Sequence, residues 1–467
     1  MEQRVYTKRE KNMVLLASSV AIFITPAMAS MVNLALISIG NNFNIGTHDL
    51  GWVTTTFFIS SVAFLLPAAR VADLYGKKRT FIIGCIIVLI GNLLSSLAVD
   101  FWMLCFFRII TGAGAAFISC TGVSMIMEVF SRDERGKALG INTAFVYLGA
   151  SLGPVIGGLL TDALGWRSIF YIIIPMTVIA LYAISQLKNE FISLEGSFDI
   201  KGSIVYGLSI MFAMYGLMNL PSVSSVISLI SGVLLLFVFI YLQKHDNWPL
   251  INLNIFKSTR FSRSIFATLL NYASSYAIAF FLSLYLQSIG ALSASEASLI
   301  LLVQPLVQVI LTPFAGKWSD TLDLRILPTV GMAITCFGLI LLLFVGVNVN
   351  MPMIIVALLI LGLGYSLFSA PNTLAVMSYV KADEYSEASS LLSTMRQTGM
   401  MLSLGIAMCI ISVIMGSADN LSPENYLLFV QVMRTSWIVF ILFSVVGCII
   451  SWFRGPLQSN ESTKIID

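Results

Sequence analysis

Long apolar runs separated by short polar connections repeat along the whole chain. A helix that crosses a bilayer needs about 20 mostly apolar residues. Fourteen runs meet that length: 13–39, 50–69, 80–99, 102–128, 138–162, 167–187, 202–220, 223–243, 263–289, 296–315, 326–347, 352–379, 388–415 and 427–453. The connections are short and rich in Gly, Pro, Asn and charge. This pattern predicts an all-α bundle of membrane helices without an extramembrane domain. Within the fifth run, Gly149, Gly153 and Gly157 recur every four residues, followed by Gly158. That spacing gives one bare helix face, on which two membrane helices can approach backbone to backbone. Pro154 on the same helix removes a backbone hydrogen bond and bends it mid-span.

Composition supports the same class. The chain of 467 residues is 58% hydrophobic and 10% charged, with a mean hydropathy of +0.92. Soluble domains carry about 25% charge, so the lipid bilayer is this protein's solvent. A net charge of +3 gives no reason to expect a nucleic-acid partner. The distribution of charge says more. With the N-terminus in the cytoplasm, Arg167 and Arg434 are the basic residues near the outer face, and Arg108 and Arg396 lie within spans. The other 22 of 26 Lys and Arg then fall on the cytoplasmic side, as the positive-inside rule requires. Both termini are therefore expected in the cytoplasm of a multi-pass cell-membrane protein. Ala27-Met28-Ala29 mimics a signal-cleavage site, but apolar sequence continues to Ile39, so the first run is read as an uncleaved span.

A weak internal repeat divides the chain. Ala69 to Arg79 follows the second span, and Gly316 to Arg325 follows the tenth. Each ends an inward-running helix with a small residue, an apolar stretch, an Asp and then basic residues. The expected organisation is a leader (1–12), a six-helix half (13–187), two inserted helices with flanking loops (188–262), a second six-helix half (263–453) and a tail (454–467), the halves being parallel repeats.

No enzyme chemistry is legible. Cys85, Cys105, Cys120, Cys336, Cys409 and Cys448 lie in apolar runs without a CxxC pair and read as small buried hydrophobes. His48 and His245 fall in loops on opposite sides of the membrane. No metal site and no cofactor are expected, and no HExxH, P-loop or GxSxG motif occurs.

The run Gly149-Ala-Ser-Leu-Gly153-Pro154-Val-Ile-Gly157-Gly158 resembles the antiporter motif in the fifth helix of drug exporters of the major facilitator superfamily. Four further stretches resemble its 14-spanner drug:proton antiporters. Ala72, Asp73, Gly76, Lys77 and Lys78 resemble the first-loop signature, with Ala69 where the family prefers Gly. Leu104 to Ala116, with Arg108, Gly112 and Gly114, resembles the fourth-helix signature, with Thr111 in place of the usual Gln. Trp166 to Tyr171 is similar to the opening of helix 6, and Ser389 to Gly399 to the RQxG stretch of helix 13. The resemblance implies a major facilitator fold, transport of small molecules driven by a proton gradient, and a gating loop at Asp73, Gly76, Lys77, Lys78 and Arg79, with Asp320 as its weaker copy. It also implies that the first and fourth helices of each half line the cavity, which selects Asn33, Arg108, Asn271, Tyr276 and Asn372. A monomer is expected.

One departure changes the functional reading. Many relatives carry an Asp in the first helix, where this chain has Met28. Every acidic residue falls in a loop or near a helix end, with Glu128 the nearest to an exception. Arg108 and Arg396 are intramembrane charges, which must face a cavity or a partner. Each reads either as a substrate or coupling residue or as a clamp on a neighbouring backbone carbonyl. Two inward arginines without midplane acids favour an anionic or neutral substrate. The expected function is proton-driven export of small amphiphilic compounds or drugs, with Glu128, Asp73 or Asp162 available for coupling. The alternatives are an exporter or facilitator of an endogenous metabolite, lipid or anion, and, in another class, a non-transporting sensor or scaffold.

Overall fold

A computed structural model describes residues 6–187, 190–191, 196–319, 321–380, 385–416 and 421–455. Among them the fold is all helical. In chain order the spans are α1 Lys8–Phe43, α2 Thr47–Tyr75, α3 Lys77–Ser96, α4 Phe101–Val129, α5 Arg132–Leu164, α6 Ser168–Ser185, α7 Ile200–Met218, α8 Val223–His245, α9 Thr259–Ser288, α10 Ala294–Ser319, α11 Ile326–Leu342, α12 Met351–Ser378, α13 Tyr385–Met415 and α14 Tyr426–Trp452. Thirteen are long and apolar enough to cross a membrane. The fourteenth, α11, has 17 residues, about 26 Å at 1.5 Å per residue.

Polar residues at the helix starts satisfy the first backbone N–H groups, which have no partner within the helix. Asp100 accepts from the Met103 N–H at 2.9 Å and Asn350 from that of Met353 at 3.2 Å. Thr7 with Glu10, Ser131 with Glu134 and Ser293 with Glu296 form capping boxes. Glu134 also pairs with Lys11 at 2.5 Å, so the start of α5 is tied to the start of α1.

Three spans that read as continuous in the sequence are broken. Pro175 and Pro305 lack the N–H that would bond four residues back, and the interruptions fall just ahead, at Ile172 in α6 and Leu302 in α10. In α9 the break is at Ser274–Ser275. Both serine hydroxyls bond the Asn271 carbonyl, at 2.8 and 2.6 Å, and so compete with the helix ladder. The freed Ala277 N–H donates to Ser403 Oγ of α13 at 3.0 Å.

The two six-helix groups use the same contacts. In the first, α1 packs on α5, and α4 on α2 and α3. In the second, α9 packs on α13, and α12 on α10 and α11. Two arginines repeat the correspondence. Arg167, at the start of α6, donates to the Ala98 carbonyl just beyond α3, at 2.9 Å. Arg434 in α14 donates to the Val345 carbonyl just beyond α11, at 3.1 Å. Helices α7 and α8 pack on each other, and α7 touches both α2 and α13. A buried knot closes their lower ends, where Gln243 Nε2 donates to Asp199 Oδ2 at 2.7 Å. The outer side of α8 presents large apolar residues such as Phe237 and Tyr241, as a lipid-facing helix does.

Candidate functional site: the cavity between the halves

A cavity of about 2000 Å³ lies between the two six-helix groups. Its lining includes Lys77, Glu128, Arg135, Arg260 and Tyr379, all at the end of the bundle that carries the basic loops. It extends to Asn33, Phe58, Pro154, Tyr276 and Met400. None of the described lining residues comes from the connections at the far end.

At the far end the halves are locked together. Ser283 of α9 donates to the Asn33 carbonyl of α1 at 2.7 Å, and Gln287 reaches the Leu34 carbonyl at 3.3 Å. At mid-span Ser61 of α2 donates to Gln397 of α13 at 2.5 Å, and nearer the far end Gly51 of α2 lies directly against the Met408 thioether. The Ser295 N–H, in the first turn of α10, donates to Asp162 of α5 at 2.8 Å. The conformation is open at the basic end and sealed at the other.

The small-residue face of α5 divides its work. A Cβ at Gly149 would strike the Phe23 carbonyl, one at Gly153 would come 3.0 Å from Ala27 Cα, and one at Gly157 2.6 Å from Met31 Cα. These three let α1 and α5 touch within one half. Gly158 faces the other half, where a Cβ would come 2.6 Å from the Ala294 carbonyl of α10. Pro154 lines the cavity.

The loop after α2 is held within its own half. Lys77, 4% exposed, donates to Glu128 of α4 at 2.7 Å, and its N–H donates to the Phe191 carbonyl at 2.9 Å. Gly76 adopts φ +111 and a Cβ there would collide with the Glu190 carboxyl group. Glu190 accepts from the N–H groups of Lys78 at 2.7 Å and Arg79 at 3.1 Å. It therefore caps α3, whose first turn otherwise places three cations against the positive end of the helix dipole. Asp73 sits among Arg70, Lys77 and Glu128 without taking the capping position. Asp320 lies outside the described residues.

Of the cavity candidates, Asn33, Asn271, Tyr276, Arg396 and Glu128 line the space. Tyr276 stands edge-on to Phe58 at 5.0 Å, and the Arg396 guanidinium lies 5.4 Å from the Tyr272 ring. Two candidates lie elsewhere. Arg108, fully buried, sits behind the cavity roof. Its Nε donates to the Val53 carbonyl at 3.2 Å, and its guanidinium lies 4.5 Å from the Phe57 ring. Asn372 is on the flank of α12 turned to α9, donating to the Thr268 hydroxyl at 2.8 Å and the Ser264 carbonyl at 3.2 Å.

Sequence reasoning missed α5 and α10 as helices of the wall and reached α13 only through Arg396. Asn142, Thr143, Tyr147 and Ala150 of α5, Gln304 and Gln308 of α10, and Ser389, Ser393 and Gln397 of α13 all line the space. The signal was present as polar residues at intervals of three or four, which share a helix face. Across the cavity the Tyr147 hydroxyl lies 3.1 Å from that of Ser369 on α12. Four basic side chains and one carboxylate face the space among the described residues: Lys77, Arg135, Arg260 and Arg396 against Glu128. No cluster of three metal-ligating side chains occurs among them.

Comparison with known proteins agrees with this architecture. The family model described as Major Facilitator Superfamily matches residues 18–256 and 264–465. Multidrug resistance protein Stp of Mycobacterium tuberculosis is 27% identical over 84% of this chain and 74% of its own length. Riboflavin transporter RibZ of Clostridioides difficile is 27% identical over 83% of this chain and 85% of its own. Lincomycin resistance protein LmrB of Listeria innocua is 24% identical over 94% and 95%. Among solved structures, a bacterial homologue of the human lysosomal transporter Spinster, inward-facing and unoccupied, superposes with a TM-score of 0.70. It covers 98% of this chain and 99% of that one at 16% identity, a likeness of fold.

Proposed function

The chain belongs to the major facilitator superfamily, and from that membership we propose that it exports small amphiphilic compounds from the cytoplasm by alternating access, in exchange for protons. The observation that carries this reading is the cavity of about 2000 Å³, open at the basic end and sealed at the other. Basic loops belong on the cytoplasmic side, so this is the state that loads from the cytoplasm. The volume exceeds the 300–1,000 Å³ of an ordinary ligand pocket, which suits cargo of drug size with room for water. The resistance proteins among the relatives point to the same cargo. Rocking of the halves about the cavity would open the far-end seal and release the cargo outside.

Proton coupling rests on the family resemblance and on the three carboxylates near the moving contacts. Glu128 and Asp73 stand by the gating loop, and Asp162 stands in the far-end seal. The test uses purified protein in liposomes with an imposed pH gradient and a pH-sensitive dye. Tetracycline, ethidium, a quaternary ammonium compound and an anionic amphiphile are added in turn. Substrate-dependent proton movement that disappears when Glu128, Asp73 and Asp162 are all neutralised is the expected result. Proton-driven transport that survives the triple substitution would overturn the coupling assignment.

A second reading, transport of an endogenous metabolite, is favoured by the excess of basic groups on the cavity wall and by the riboflavin transporter among the relatives. Proton flux in response to the four added compounds separates the two.

A further inference from the structure

The cavity carries unmet hydrogen-bond donors at mid-depth. Arg396 has its Nε buried without a partner, and its guanidinium stands over the Tyr272 ring with no carboxylate paired to it among the described residues. Asn271, 2% exposed, has its Nδ2 unpartnered, and Tyr365, 6% exposed, its hydroxyl. Tyr272 and Tyr147 border the same space. All five side chains line the cavity.

Donors dominate this set, and the Tyr365 hydroxyl can donate as well as accept. Guanidinium Nε and amide Nδ2 only donate. A buried donor left unmatched is costly, so the occupant of this site supplies acceptor oxygens. Among the described residues no carboxylate pairs with the guanidinium and the wall is basic, so a negative occupant also supplies the missing charge. The three tyrosines offer flat apolar faces, on which an aromatic ring stacks. We propose that the mid-depth of the cavity binds aromatic anions, with Arg396 and Asn271 donating to the anionic oxygens and Tyr272, Tyr147 and Tyr365 enclosing the ring. This inference deepens the export reading by naming its substrate class, and it shares with that reading the premise that the cavity is the cargo's path.

Binding and transport are measured separately with three probes of one shape: naphthalene-2-carboxylate, naphthalene-2-carboxamide and 2-naphthylmethylammonium. Protein in lipid nanodiscs, corrected with empty nanodiscs, is titrated with each. The expected order is carboxylate, then amide, then ammonium, with at least a tenfold gap between first and last. Arg396→Gln collapses the carboxylate-to-ammonium ratio at least tenfold, whereas Arg396→Lys retains most of it. Tyr365→Phe, which removes one hydroxyl, weakens the carboxylate several-fold. An ammonium that binds as well as the carboxylate to the unmodified protein overturns the proposal without any variant. So does an Arg396→Gln protein with an unchanged ratio. Transport of the same probes in liposomes distinguishes the two readings. Charge-selective binding without transport sinks export and leaves the site. Transport of the ammonium in preference to the carboxylate sinks the site and leaves export.

Discussion

Asp162, near the far end of α5, accepts a 2.8 Å hydrogen bond from the backbone N–H of Ser295 in the first turn of α10. A carboxylate of one half thereby caps a helix of the other, where the helix dipole favours negative charge. The contact exists only while the far end is closed. It favours the state sealed at the far end over one open there, without contributing to either half alone.

Asp162→Asn should therefore shift the conformational balance. A mostly exposed charge at a helix terminus is worth about 0.3–1 kcal/mol, so the outward-open fraction should rise roughly two- to fivefold. Labelling of cysteines placed at the far end of the cavity measures it. An unchanged labelling rate would remove Asp162 from the seal.

The glycines of α5 should separate into two classes. Gly149→Val drives a side chain into the Phe23 carbonyl within one half. It should lower the stability of the whole fold by about 1–3 kcal/mol, as overpacking does, seen as a lower unfolding temperature. Gly158→Val meets α10 across the seal. It should leave the unfolding temperature nearly unchanged and favour the outward-open state instead. The two variants behaving alike would contradict this division.

The buried Lys77 depends on Glu128. Breaking a fully buried ion pair costs about 3–5 kcal/mol. Glu128 is 42% exposed, so Glu128→Gln should cost less, about 1–2 kcal/mol. Lys77→Met combined with Glu128→Gln should recover part of that loss, because the stranded charge goes with it. A double-mutant cycle on unfolding temperature checks the coupling. Additive losses would mean that the pair does not act as one.

Glu190→Ala removes the cap of α3 together with the carboxylate facing Arg79. A lost helix cap costs about 1 kcal/mol. The expected result is a drop in unfolding temperature that Glu190→Gln partly spares, since an amide oxygen still accepts one N–H. Equal effects of the two substitutions would assign the role to charge rather than to capping.

The span count was legible because bilayer thickness sets a length that sequence must match. The family was legible from local motifs. The facing of side chains was not. In a soluble helix the apolar stripe marks the buried face, but lipid and protein interior are equally apolar, so α4 and α12 show no such stripe. Arg108 illustrates the loss of depth information. It lies eleven residues before Ser119, about three turns, and so on nearly the same face of α4, but some 16 Å further toward the sealed end. Asn372 illustrates the loss of angle, being turned to α9 while Ser369 and Thr373 border the cavity. The break in α9 had a local cue in Ser274–Ser275, since serine hydroxyls draw carbonyls out of the ladder. Its consequence, placing Asn271, Tyr272 and Tyr276 on the wall, needed Ser403 of a distant helix to take up the freed N–H.

Alternating access requires the two halves to rock about this cavity. Pulsed electron spin resonance on two labelled pairs in lipid nanodiscs tests it most directly. One pair, Gly140 with Ser378, spans the open mouth. The other, Val99 with Phe344, spans the sealed end at exposed positions. Raising the pH difference or adding a transported compound should shorten the first distance as it lengthens the second, in the same population. Distances that change together, or a mouth that never closes under any condition, would contradict alternating access in this protein.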